Sequence, residues 1–182
     1  ADPASLWSCL ERGEVILLRS SWVLNRAASA QPMPCRQQIE AEHRNAIITA
    51  AELSRLHDVF TSTFDACTQR ELKTKPVLLP VLAISHPWYA REHPDLELVT
   101  LRAVASELER LMNEHFGPWG LAEIGIFFDY SSLYQNKPHA RTPWEEDVFQ
   151  QALQNMAIWY AHEATFVFLV NSPKALPPHE QR

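Results

Sequence analysis

Apolar residues along this chain fall into two kinds of pattern, and their alternation predicts the architecture. Three continuous apolar runs, 77–84, 124–128 and 165–170, are too uniform for a half-exposed strand. Runs of that kind predict strands covered on both faces, as in parallel sheets. Between and before them the spacing changes to that of helices. Leu53, Leu56, Val59, Phe60 and Phe64 mark one face of a helix from Thr49 to about Cys67, opened by the capping box Thr49-Ala50-Ala51-Glu52. Leu101, Val104, Leu108, Leu111 and Met112 mark a second over 97–115, stopped by Gly117-Pro118-Trp119-Gly120. A third begins with Thr142 as cap, Pro143 at the first helical position and Glu145 closing a second capping box. Its buried face is expected to include Phe149, Ala152, Leu153, Met156, Trp159 and Tyr160.

From residue 77 onward the order is strand, helix, strand, helix, strand, which implies parallel pairing with right-handed crossovers. Pro80 has no amide proton for a ladder, so the first strand is expected to start after it or to bulge there. Residues 1–48 carry weaker signals: a strand over 14–23 and a Pro-punctuated loop over 27–34. The expectation is one α/β domain over 1–182, with 1–48 an N-terminal extension packing on the core, 49–171 the α/β core and 172–182 a polar tail.

Composition narrows the chemistry. A net charge of −6 argues against general nucleic-acid binding. Only 4 glycines argue against a glycine-rich phosphate cradle. The apolar runs are too short to span a bilayer, and the N-terminus lacks the basic-then-apolar pattern of a signal peptide. Cys9, Cys35 and Cys67 form no Cys-x-x-Cys pair, so they read as buried apolar fillers in a reducing, cytoplasmic setting. Of the 8 histidines, none has the His-x-x-x-His spacing of helical metal ligands, so no metal is expected.

In parallel sheets ligands bind outside the carboxyl ends of the strands. Those ends carry Ser85-His86-Pro87-Trp88 and Asp129-Tyr130-Ser131-Ser132, followed by a polar loop over 131–141. His86 is suited to proton transfer near neutrality, although position alone favours the plainer reading, a hydrogen-bonded loop histidine beside a Trp that covers the sheet edge. Asp129, at the end of an apolar strand, needs partners if buried. It is placed either to hold a ribose hydroxyl or to accept loop N–H groups, Arg91 and Arg141 being alternative partners. Glu145 is explained as a capping-box partner, whereas Glu146 is free to join Asp129 and His86 as a carboxylate for work on a glycosidic bond. Ser85, Trp88, Tyr130, Ser132 and Gln135 are the expected ligand contacts.

Three segments together resemble the heterokaryon-incompatibility (HET) domain over about residues 77–171. Val81-Leu82-Ala83-Ile84-Ser85-His86-Pro87-Trp88 is similar to that family's opening strand and Ser-x-x-Trp. The stretch from Phe127 to Gln135 resembles its second strand and Asp-containing loop, and Met156-Ala157-Ile158-Trp159-Tyr160 its Met-x-x-x-Tyr helix. HET domains are related to TIR domains, so the resemblance implies a three-layer, flavodoxin/TIR-like, mostly parallel sheet with helices on both faces. It implies a signalling or scaffold module acting through a protein partner or self-association. The alternative it carries is an enzyme acting on the N-glycosidic bond of NAD or another nucleotide, with Asp129, His86 and Glu146 as catalytic groups and no resident cofactor. The catalytic Glu of such TIR domains lies on a helix after the third strand, and this sequence offers no counterpart to it.

Overall fold

The computed structural model describes residues 3–68, 78–138, 140–162 and 164–170. Residue 77, where the first apolar run begins, and the tail 172–182 lie outside them. The described chain runs α1 (Pro3–Glu11), β1 (Leu17–Arg19), α2 (Ser20–Ala28), α3 (Arg36–Glu42), β2 (Ile47–Ile48), α4 (Ala50–Thr68) and β3 (Val81–Ser85). It continues through α5 (Val99–Leu111), a π-helical turn (Met112–Phe116), β4 (Gly125–Phe128), α6 (Asp129–Ser132), α7 (Pro143–Gln154), α8 (Met156–Ala161) and β5 (Phe166–Leu169).

One five-stranded mixed sheet is formed in the order β2-β1-β4-β3-β5. The expected parallel set is present: β3 pairs β4 with Leu82 opposite Ile126, and pairs β5 with Leu82 opposite Phe166. The N-terminal segment is not only packed on this core, because it supplies two strands. β1 runs antiparallel to both β4 and β2, so the parallel centre has an antiparallel flank. The approach of β1 to β4 is close: a Cβ on Gly125 would lie 3.0 Å from Leu17 Cδ1.

Side chains of the central strands alternate between two cores, which is why their sequences are continuously apolar. Leu18, Leu82, Ile84, Ile126 and Phe128 join Val23 of α2, Ile39 of α3, and Leu101, Val104 and Leu108 of α5. Leu17, Val81, Ala83 and Phe127 join Leu6 of α1, Leu53 of α4, Ala152 of α7 and Trp159 of α8. Phe127 and Trp159 stack with ring centroids 5.1 Å apart. Burying both faces of β3 and β4 fixes the direction of their carboxyl ends, where the candidate site lies.

Four local expectations need correction. The strand expected over 14–23 shrinks to Leu17–Arg19, because α2 starts at Ser20. Glu123, distant in sequence, accepts the Ser21 N–H at 2.9 Å and the Ser20 and Ser21 hydroxyls, capping that helix from across the fold. The long helix expected after Thr142 is two helices separated at Asn155, and Leu153 points outward. Asn155 Nδ2 donates to the buried Glu14 carboxylate at 3.1 Å, drawing this junction toward the N-terminal segment. The loop expected over 131–141 begins with α6, and Ser131, Ser132, Leu133 and Tyr134 are buried. Finally, β5 is an edge strand with alternating exposure rather than a strand covered on both faces.

Both capping boxes form as their sequences predict. Thr49 Oγ1 accepts the Glu52 N–H at 3.2 Å while Glu52 accepts the Thr49 N–H at 3.0 Å. Thr142 and Glu145 repeat the exchange at 3.2 and 2.7 Å. The start of α5 is set by Asp95, whose carboxylate accepts the N–H groups of Val99 and Leu101 at 2.7 and 2.8 Å.

Candidate functional site

The carboxyl ends of β3 and β4 lie side by side, Ile84 opposite Phe128, so the residues that follow each strand meet. His86 Nε2 lies 3.1 Å from Asp129 Oδ1, and Trp88 Nε1 donates to Asp129 Oδ2 at 3.0 Å. The Tyr130 N–H donates to Asp129 Oδ1 at 2.6 Å. Three donors thus converge on one carboxylate, which answers how a charge at the end of an apolar strand is accommodated.

His86 is the inner member of this cluster. Its side chain is 1% exposed against 23% for Asp129. The imidazole packs on the Phe128 ring with centroids 4.5 Å apart. Its Nδ1 lies 3.1 Å from the Pro87 carbonyl oxygen. Both ring nitrogens therefore face oxygen acceptors. Behind the cluster, the Tyr160 hydroxyl donates to the Ile84 carbonyl at 3.4 Å. Burial, and then the nearby Asp129 charge, push the Tyr160 hydroxyl pKa upward.

The other expected site residues part company. Glu146 is engaged elsewhere: Gln150 Nε2 and Arg141 Nε each donate to its carboxylate at 2.7 Å. Those bonds, Gln150's foremost, hold its carboxyl below the usual carboxylate range. Ser132 is turned inward, its Oγ accepting the Phe128 N–H at 3.0 Å, so its hydroxyl is spent on the β4–α6 junction. Ser85 ends β3, and its carbonyl accepts the Val170 N–H at 2.8 Å. Neither Arg91 nor Arg141 pairs with Asp129. Arg141 goes to Glu146, and Arg91 makes no hydrogen bond or ion pair among the described residues.

Trp88, Tyr130 and Gln135 do come together, as walls of a cleft of about 210 Å³ beside the Asp129 cluster. Its remaining walls include Arg91, Lys137 and Arg141; the sequence offers Arg91 and Arg141 only as partners for Asp129, and Lys137 not at all. The signal for them was the placing of basic residues in the two loops that follow β3 and β4. A larger depression of about 470 Å³, walled by Met33, Pro34 and Pro138 among others, adjoins it and shares Glu92, Tyr130 and Lys137. Burial, foremost, raises the Tyr130 hydroxyl to about 12, so it remains a neutral donor at ordinary pH.

No cluster of three or more His, Cys, Asp or Glu side chains able to hold a metal exists among the described residues. No helix among them is long and apolar enough to cross a membrane. Cys9 and Cys35 are buried free thiols, and burial together with the Glu14 hydrogen bond lifts Cys9 to about 11. Compared with known proteins, the chain matches no family model, no curated protein and no solved structure.

Proposed function

We propose that this chain is a TIR/HET-like signalling or scaffold domain of the cytoplasm that acts by protein contact, through self-association, rather than by breaking a bond. The observation that carries the reading is the engagement of its carboxylates. Asp129 accepts from His86, Trp88 and the Tyr130 amide, and Glu146 accepts from Arg141 and Gln150. A glycosidase needs two carboxyl groups flanking one bond. Here neither is a spare base, and Glu146 is held by partners outside the Asp129 cluster. Support for a flavodoxin/TIR-like arrangement comes from the parallel set β3, β4 and β5 and from the helices that share both cores with it.

Support for self-association comes from β5. Its outer edge pairs with no strand among the described residues, and its sequence, Phe-Val-Phe-Leu, has no charge or proline to discourage pairing. Val167 and Leu169 stand outward, Leu169 at 61% exposure. A second copy adding its own β5 would continue the ladder and set its side chains beside Val167 and Leu169 on the same face. Sedimentation equilibrium across a wide concentration range tests this: the mean mass should rise with concentration, and Leu169→Lys should suppress the rise. A monomer at every concentration, together with release of nicotinamide from NAD, would replace this reading with the enzymatic one.

A further inference from the structure

We propose that the cleft bounded by Trp88, Arg91, Lys137 and Arg141 binds a small molecule that joins an anionic group to an apolar or aromatic body. The electrostatic argument comes first. Three cationic side chains line the cleft against the single carboxylate of Glu92, on a chain whose net charge is −6. An excess of cations on the walls of a concavity favours anions there, although Glu146 behind Arg141 and Asp129 behind Trp88 offset part of that charge.

The cations differ in how free they are. Arg91 is exposed and makes no hydrogen bond or ion pair among the described residues. Lys137 reaches Glu92 at 3.3 Å, but both side chains are mostly exposed, so that pair is readily exchanged for a ligand. Arg141 is the fixed member. Its guanidinium lies 3.7 Å over the Phe149 ring, Nη1 donates to the Tyr134 carbonyl at 2.8 Å, and Nε is held by Glu146. Its Nη2 has no protein partner among the described residues, leaving one fork of a rigid guanidinium for an anion.

The body of the ligand is placed by the walls. Trp88 is 41% exposed, yet its indole is fixed by the hydrogen bond to Asp129 and by the Tyr130 ring, 5.8 Å away and nearly perpendicular. Tyr130 continues into the larger depression, where Met33, Pro34 and Pro138 supply apolar walls. An anion held at Arg91 and Arg141 therefore has an aromatic face beside it and an apolar trough beyond. Gln135, with its Nε2 bonded to the Leu133 carbonyl at 3.0 Å, is a fixed polar group on the wall of the cleft. The inference is independent of self-association through β5.

Calorimetric titrations with phenyl phosphate, benzoate, inorganic phosphate and phenol test it. The proposal expects phenyl phosphate or benzoate to bind at least about tenfold more tightly than inorganic phosphate, and phenol to give no saturable heat. Phenyl phosphate ahead of benzoate assigns a phosphate ester as the ligand class, and the reverse order assigns a carboxylate. Arg91→Ala, which removes no hydrogen bond or ion pair among the described residues, should weaken the better probe by about tenfold or more while leaving the unfolding midpoint unchanged. Absence of binding by both anionic aromatics at millimolar concentration, phenol binding as well as they do, or indifference to Arg91→Ala would each overturn the proposal.

Discussion

The Asp129 cluster and the cleft beside it share Trp88 as a common wall, yet they are built in opposite ways. In the cluster, acceptors are matched by donors. Asp129 receives three, and the His86 ring is closed in by Phe128, Pro87 and Asp129 itself. In the cleft, donors outnumber acceptors: Arg91 is unpartnered among the described residues and Arg141 keeps one nitrogen free. Buried polar groups with complete hydrogen bonding rigidify a fold, whereas exposed groups with capacity to spare can bind. The lesson is that the most chemically suggestive residues at the strand ends hold the site in shape, and the plainer basic residues around them meet solvent.

The comparison breaks most visibly at Asp129. Asp129→Asn replaces a charged acceptor with a group that turns an amide donor toward His86 or Trp88. A loss of about 1–3 kcal/mol in unfolding free energy is expected, as for a buried network left with a mismatched donor. Urea denaturation measures it, and no loss would show that the cluster does not stabilise the fold. A smaller cost is expected for Trp88→Phe, which removes one donor to the same carboxylate and keeps the aromatic wall: about 0.5–1.5 kcal/mol.

An engaged carboxylate elsewhere extends the comparison to pH. The Thr49 backbone amide, foremost, and the Arg19 guanidinium hold the Glu52 carboxyl down to about 2, from an ordinary value of 4.5. Its pKa is lower folded than unfolded, so its contribution is present above the unfolded value and is lost as pH falls from about 4.5 toward 2. Glu52 is partly exposed, and solvent screening keeps the effect modest. Denaturation midpoints between pH 5 and pH 2.5 should fall less steeply for Glu52→Gln than for the natural chain. Equal slopes would mean that the Glu52 carboxylate, which accepts from the Thr49 amide and from Arg19 of β1, contributes nothing.

What was legible in the sequence follows the range of the causes. The boxes at Thr49 and Thr142 form from neighbours three residues apart, and the starts of α4 and α7 are where the sequence puts them. The uniform apolarity of β3 and β4 is explained by two cores, one on each face. The start of α2 depends on Glu123 and the helix break at Asn155 coincides with a bond to Glu14, each about a hundred or more residues away, and no local pattern announces such a partner. The edge position of β5 is likewise a matter of strand order, to which a run of apolar residues is blind. At the site, His86, Trp88 and Asp129 were placed together because strand ends locate them. Ser132 and Glu146 are expected beside them and are engaged elsewhere, because whether a hydroxyl turns inward to Phe128, or a carboxylate toward Arg141, is decided by packing rather than by residue type.

The division of labour at the strand ends is tested most directly by titrating Asp129→Asn with phenyl phosphate, at a temperature where the variant is fully folded. The account predicts an affinity within about threefold of the natural chain, because an Asn oxygen still accepts from Trp88 and the cations of the cleft are untouched. Loss of binding by the fully folded variant would contradict it, making Asp129 the ligand-binding group and Arg91 and Arg141 its bystanders.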